Sequence, residues 1–276
     1  MKRLLLIEFQ KLYLNKSSRI LTLIYFLLLT SIALIASIEF DFANIHFRIA
    51  DQGIFNFPYI WHFNTWVAAL LKLFLAIVIV SMMANEYSYR TLKQNLIDGL
   101  SKKEFILSKF YTVIVFAGAS TVFVFVVSMI LGLIFSDFNE VSIIFQDLDY
   151  LLAFFVKLSG FFALCLFLGI WVKRSAFALG FLILISIAEG ILFLTIRFKS
   201  DTDFASKVMQ FFPLTSMSNL VKEPFTRLSG IKSLANQVGE SFNKDYSIHF
   251  YQLLIVAIWA FVFIYLSYRL LKKRDL

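Results

Sequence analysis

Charge, proline and cysteine are all scarce in this chain. Only 16% of its 276 residues are Asp, Glu, Lys or Arg, against about a quarter in soluble domains, so a water-facing globular fold is disfavoured. Three prolines leave long helices uninterrupted. The single cysteine, Cys165, sits in an apolar run, which excludes an internal disulfide and a cysteine-based metal site. His46, His62 and His249 are too scattered to predict a zinc cluster. No G-x-S-x-G or H-E-x-x-H run occurs, so neither a catalytic centre nor a metal site is expected.

Apolar bulk takes their place. The chain is 60% hydrophobic with a mean hydropathy of +0.80. The formal net charge of +8 falls between apolar runs and never forms a basic stripe interleaved with aromatics. Nucleic-acid binding is therefore excluded. The reading is an all-α membrane protein.

A membrane-crossing helix needs about 20 mostly apolar residues. Six runs qualify: 20–38, 63–84 with Lys72, 110–135, 151–172 with Lys157, 176–196 with Glu189, and 250–268. Residues 2–16 precede them. There Leu5, Phe9, Leu12 and Tyr13 share one helical face, with Arg3, Glu8, Lys11 and Asn15 elsewhere, which predicts an amphipathic helix at the membrane surface. Glu8, Gln10 and Lys11 interrupt what would otherwise read as a signal peptide.

Lysine and arginine set the orientation. One side collects Lys2, Arg3, Lys11, Lys16 and Arg19, then Arg90 to Lys109, Lys173-Arg174, and Arg269 to Arg274. The other carries the acidic connections 39–62 and 136–150 and the long segment 197–249. The basic side is expected to be cytoplasmic, with both termini there. The turn at 173–175 predicts an antiparallel pairing of spans four and five. In 197–249, Phe204, Val208, Phe211 and Phe212 form one apolar face, and Leu228, Ile231, Leu234 and Val238 another. Two short external amphipathic helices are predicted.

The cytoplasmic loop 85–105 carries the most information. Leu92, Leu96 and Leu100 step by one helical turn, Glu86 and Arg90 are spaced to pair near a helix start, and Asp98-Gly99 reads as a helix stop. Ser101 and Glu104 read as a capping box opening the next helix. A short amphipathic helix of this kind either rests on the headgroups or docks into a groove on a partner.

Glu86, then Arg90-Thr91-Leu92, then Asp98 to Phe105 with Lys102, and Ser108-Lys109 resemble the coupling-helix region of ABC-2 type ABC transporter permeases. Those proteins show an acidic residue, Gly-Thr-Leu, a short turn and a Gly-Lys opening the third span. Here Arg90 stands where glycine is usual, Leu100 where proline is frequent, and Ser108 before the lysine. The likeness extends to the amphipathic start with Glu8, the six spans and Phe211-Phe212-Pro213-Leu214. It implies a permease subunit of an exporter in a bacterial inner membrane, coupled through Glu86, Arg90, Thr91, Leu92, Leu96, Asp98, Gly99 and Lys102. It also implies two copies of a separate P-loop ATPase carrying ATP and Mg, and a second permease chain, identical or related. The chain itself has no G-x-x-x-x-G-K-S/T run and no soluble stretch long enough for an ATPase domain. No cofactor is expected on it.

Lys72, Lys157 and Glu189 fall in the outer parts of their spans. A charge at a helix centre costs about 2.5–3.5 kcal/mol on insertion scales. Either the three pair along a transport path, or both lysines reach the outer headgroups and Glu189 pairs with a neighbour. Two other functions stay open: a non-transporting subunit passing ATPase work to an external machine, and a secondary transporter. The latter leads one to expect inverted repeats or a broken span with a midplane charge.

Overall fold

A computed structural model describes residues 2–37, 39–42, 45–48, 53–227 and 245–274. The helices in order are α1 (Lys2–Leu14), α2 (Lys16–Ser37), α3 (Tyr59–Leu70), α4 (Lys72–Ser88), α5 (Thr91–Ile97), α6 (Lys102–Phe135), α7 (Val141–Ile144), α8 (Asp149–Val172), α9 (Ser175–Lys199), α10 (Thr202–Met209), α11 (Pro213–Asn219) and α12 (Phe250–Lys273). An unforeseen hairpin of β1 (Glu39–Phe42) and β2 (Ile45–Arg48) pairs antiparallel, Glu39 opposite Arg48 and Phe42 opposite Ile45. Four helices are long and apolar enough to cross a membrane, and up to six if each of two bent pairs is one span.

One bend separates elements that the sequence reading keeps apart, and the other falls within a single expected span. α1 meets α2 at 89°. The Asn15 side chain accepts from the backbone N–H of Ser18 at 3.0 Å, capping α2 at the corner. α3 meets α4 at 46°, where the expected span 63–84 runs as one piece. The ladder tightens at the break, Leu71 N–H donating to Ala68 O at 3.2 Å, and α4 restarts at Lys72. No proline or glycine is involved. α6 is 34 residues long, about 50 Å at 1.5 Å per residue, and so extends well beyond a hydrocarbon core of about 30 Å.

α8 is the central post. Phe154, Leu158, Phe162, Leu166 and Ile170 are fully buried along it, and it packs against α12, α4, α6, α9 and α3. Glycines permit the closest approaches: a Cβ on Gly160 would lie 2.7 Å from Val256 of α12, and one on Gly169 would lie 3.0 Å from Met83 of α4. Lys173 takes a left-handed conformation at the α8 C-terminus (φ 63°), giving the tight antiparallel turn into α9. α9 turns Phe177, Ile183, Leu184, Ile187 and Ile191 outward, an apolar surface suited to lipid rather than water.

Candidate functional site

The basic end of the bundle assembles α1, α4, α5 and α6. α4 ends at Ser88, and Arg90 adopts φ 56°, ψ 17° as the residue before α5. Glu86 therefore lies in the last turn of α4 rather than at the start of the loop helix. The expected Glu86–Arg90 helical pair does not form, because the chain reverses between them. Arg90 is exposed. Asp98 follows α5 and Gly99 turns left-handed at φ 96°, a conformation open to glycine because it lacks Cβ. Ser101 and Glu104 form the reciprocal capping box that opens α6.

Glu86 does not face solvent. Its Oε1 accepts from Lys109 Nζ at 2.6 Å and Lys11 Nζ at 2.9 Å, and its Oε2 accepts from Thr91 Oγ1 at 2.5 Å. Lys109 also donates to Glu8 Oε2 at 2.6 Å, and Lys11 lies 3.5 Å from Glu8 Oε1. Lys109 is fully buried, Glu8 4% and Glu86 3% exposed. Two carboxylates and two ammonium groups thus form a neutral cluster joining α1, α4 and α6, with Thr91 tying α5 to it. The face of α1 turned inward carries Glu8 and Leu12, with Phe9 packed against Phe116 beside them. The sequence reading sets Glu8 off the apolar face of α1, and the structure buries it beside Leu12. A polar residue faces inward because the lysine of another helix meets it there.

Leu92 is 2% exposed, and Leu96 and Leu100 pack partly against the same core. The leucine ridge of α5 is consumed by its own molecule. Exposed on the other side are Tyr89, Arg90, Lys93, Gln94 and Ile97. Lys102 turns away from α5. Its ammonium donates to the carbonyls of Arg274 (2.9 Å) and Lys272 (3.4 Å), capping α12. Arg274 in turn donates to Tyr87 Oη at 3.2 Å, Ile170 O at 2.5 Å and Trp171 O at 2.8 Å, so the end of the chain staples α4 to the C-terminus of α8.

At the opposite end Lys72, Lys157 and Glu189 do not pair with one another. Lys157 is 4% exposed, too buried to reach headgroups. It donates to the carbonyls of Val221 (3.2 Å) and Ser218 (3.5 Å). Glu189 accepts from the N–H groups of Leu214 (3.0 Å) and Thr215 (2.7 Å) and from Thr215 Oγ1 (2.7 Å). The two charges therefore hold the two ends of α11, the anion at its N-terminus and the cation beyond its C-terminus, as the helix dipole requires. Lys72 stands at the α3–α4 break with its ammonium 4.4 Å from the centre of the Phe161 ring. α10 buries Ala205 and Met209, while of the expected apolar face Phe204 and Phe211 are exposed and Val208 and Phe212 half-buried. The expected second external helix around Leu228–Val238 lies outside the described residues.

His62 is buried against Tyr150, ring centres 4.2 Å apart, with Nε2 2.9 Å from Lys222 O and Nδ1 3.1 Å from Arg227. Arg227 lies over the rings of Tyr59, Tyr150 and Tyr246. Hydrogen bonds from Ser247, and then from His249, hold the exposed Asp245 carboxyl well below the usual carboxylate range. No group of three metal-ligating side chains forms among the described residues. Cys165 is fully buried in packing.

Lys11, Lys109 and Arg274 carry much of this architecture without having been singled out as site residues. Lys109 enters the sequence reading through its place in the motif and as one of the basic residues that set the orientation. The available signal was two acids, Glu8 and Glu86, each on a helix otherwise set against apolar neighbours.

Long apolar helices around a buried post define a multi-pass helical membrane protein. Residues 19–276 match the family described as Protein of unknown function (DUF2705), and the chain belongs to that family. None of the curated proteins compared with it matches.

Proposed function

We propose that this chain is the transmembrane permease subunit of an ABC-2 type exporter, energised by a separate ATPase that pushes on α5. The observation carrying this reading is the mounting of α5. Its inner face is packed through Leu92, and Thr91 reaches Glu86 in a buried cluster shared with α1, α4 and α6. A force on the outer face (Tyr89, Arg90, Lys93, Ile97) would reach the surface helix α1 and the spans containing α4 and α6 at once. In this reading six spans cross a bacterial inner membrane, and both termini are cytoplasmic. ATP and Mg reside on two ATPase copies, and a second permease chain, identical or related, completes the path.

Affinity purification in mild detergent with mass spectrometry of bound chains tests it. A stoichiometric P-loop ATPase is expected, and it should be lost in a Lys93→Glu, Ile97→Asp variant that still folds. Charging the buried Leu92 would unfold the site rather than probe the partner. A second reading, a secondary transporter, is favoured by one feature, the broken α3–α4 span with Lys72 at its break. Purification without any ATPase would select it.

A further inference from the structure

Along the seam between α2 and α6 runs a trough that the protein does not fill. Its inner part, about 930 Å³, is lined by Phe26, Val115, Gly118, Ala119, Phe123 and Phe155, with no charged side chain on it. Its outer part, about 430 Å³, lies in the α1–α2 corner and is lined by Phe9, Leu12, Tyr13, Arg19, Leu23 and Phe116. The two parts share no lining residue, but they adjoin: Leu23 and Phe26 stand one turn apart on α2, and Val115 and Phe116 are adjacent on α6. From Ile114 to Val126, α6 rises about 18 Å, close to one leaflet's share of a hydrocarbon core about 30 Å thick.

The mouth of the outer part is cationic, and no anion stands at it among the described residues. Arg19 is exposed, its guanidinium 5.7 Å from the centre of the Tyr13 ring, and no carboxylate among the described residues pairs with it or with Lys16. Lys16 and Arg19 are three residues apart in the first turn of α2, which carries no acid. That turn is the positive end of the helix dipole, where a negative charge is stabilising.

We infer that the α2–α6 trough holds one anionic phospholipid of the cytoplasmic leaflet, its phosphate on Arg19 and the start of α2 and an acyl chain along Gly118 and Ala119. The arrangement is an apolar slot of leaflet depth ending at Arg19, which no carboxylate among the described residues pairs, and a phospholipid has that chemistry. The inference needs the membrane orientation above but not the transporter reading, and the accessibility of a cysteine placed at the N-terminus to a membrane-impermeant reagent in intact cells reports on the former separately.

Native mass spectrometry of the purified full chain, with phosphatidylglycerol or phosphatidylcholine added, tests it. One retained phosphatidylglycerol is expected, preferred by about tenfold, the effect of about 1.4 kcal/mol. Arg19→Gln, on the surface, should erase the preference, and Arg19→Lys should largely keep it. Ala119→Phe, at an exposed position that fills the slot, should abolish retention of either lipid without lowering the unfolding temperature. Equal retention of both lipids, or retention indifferent to Ala119→Phe, would overturn the proposal. A dimer that dissociates in Ala119→Phe would do so too, since a second copy would then occupy the trough.

Discussion

The two ends of the bundle bury charge in different ways. At the basic end Glu8, Glu86, Lys11 and Lys109 neutralise one another across three helices. At the opposite end Glu189 and Lys157 stand apart and are satisfied by backbone N–H and carbonyl groups at the two ends of α11. A charge-with-charge cluster is cooperative, because each member depends on the others. A charge-with-backbone contact fixes one short segment and leaves the rest of the fold indifferent to it. The first arrangement suits a joint that moves several helices together, the second a clamp on a single element.

The sharpest way to break this contrast is Lys109→Met. It leaves two buried carboxylates with only the half-exposed Lys11 between them and should lower stability by about 3–5 kcal/mol, read as a fall in unfolding temperature in detergent. A loss no larger than that of the single clamps would show that the cluster is not cooperative. Next comes Glu189→Leu, which removes charged acceptors from Leu214 and Thr215 and should cost about 1.5–3 kcal/mol. Its signature should be local: faster proteolysis within 202–221, with Lys11 and Glu86 variants showing none. Lys157→Met should release the other end of α11 at a cost of about 1–3 kcal/mol, the penalty of leaving buried carbonyls unpaired. Combined with Glu189→Leu, its effect should fall short of the sum, since both act on one helix.

The smallest expected effect has the opposite sign. Arg90 holds φ 56°, and a left-handed non-glycine residue costs about 1–2 kcal/mol. Glycine relieves that strain but loses more entropy on folding. Arg90→Gly should therefore raise stability by about 1 kcal/mol or less, measurable as a small rise in unfolding temperature. Weakened ATPase binding in this stabilised variant would assign the guanidinium to the partner contact.

The helical runs were legible because a 20-residue apolar stretch has few alternatives in lipid. The Ser101–Glu104 box and the Asp98-Gly99 stop were legible because caps are local. The break at Leu71 was not, since no proline or glycine marks it. Glu8 was misplaced because helical periodicity sorts residues by polarity and cannot see a buried lysine on another helix. The leucine ridge of α5 was read correctly as a ridge, but whether it met a partner or its own core depended on what α4 and α6 placed beside it.

The sequence by itself determined the solvent, the long helices and the local caps, because these follow from composition and from contacts within a few residues. Tertiary structure decided which charges meet. Glu8 and Lys109 are 101 residues apart, and Glu189 is 25 from the backbone it caps. A buried charge is governed by the nearest opposite charge or dipole in space, and spacing along the chain does not encode that distance.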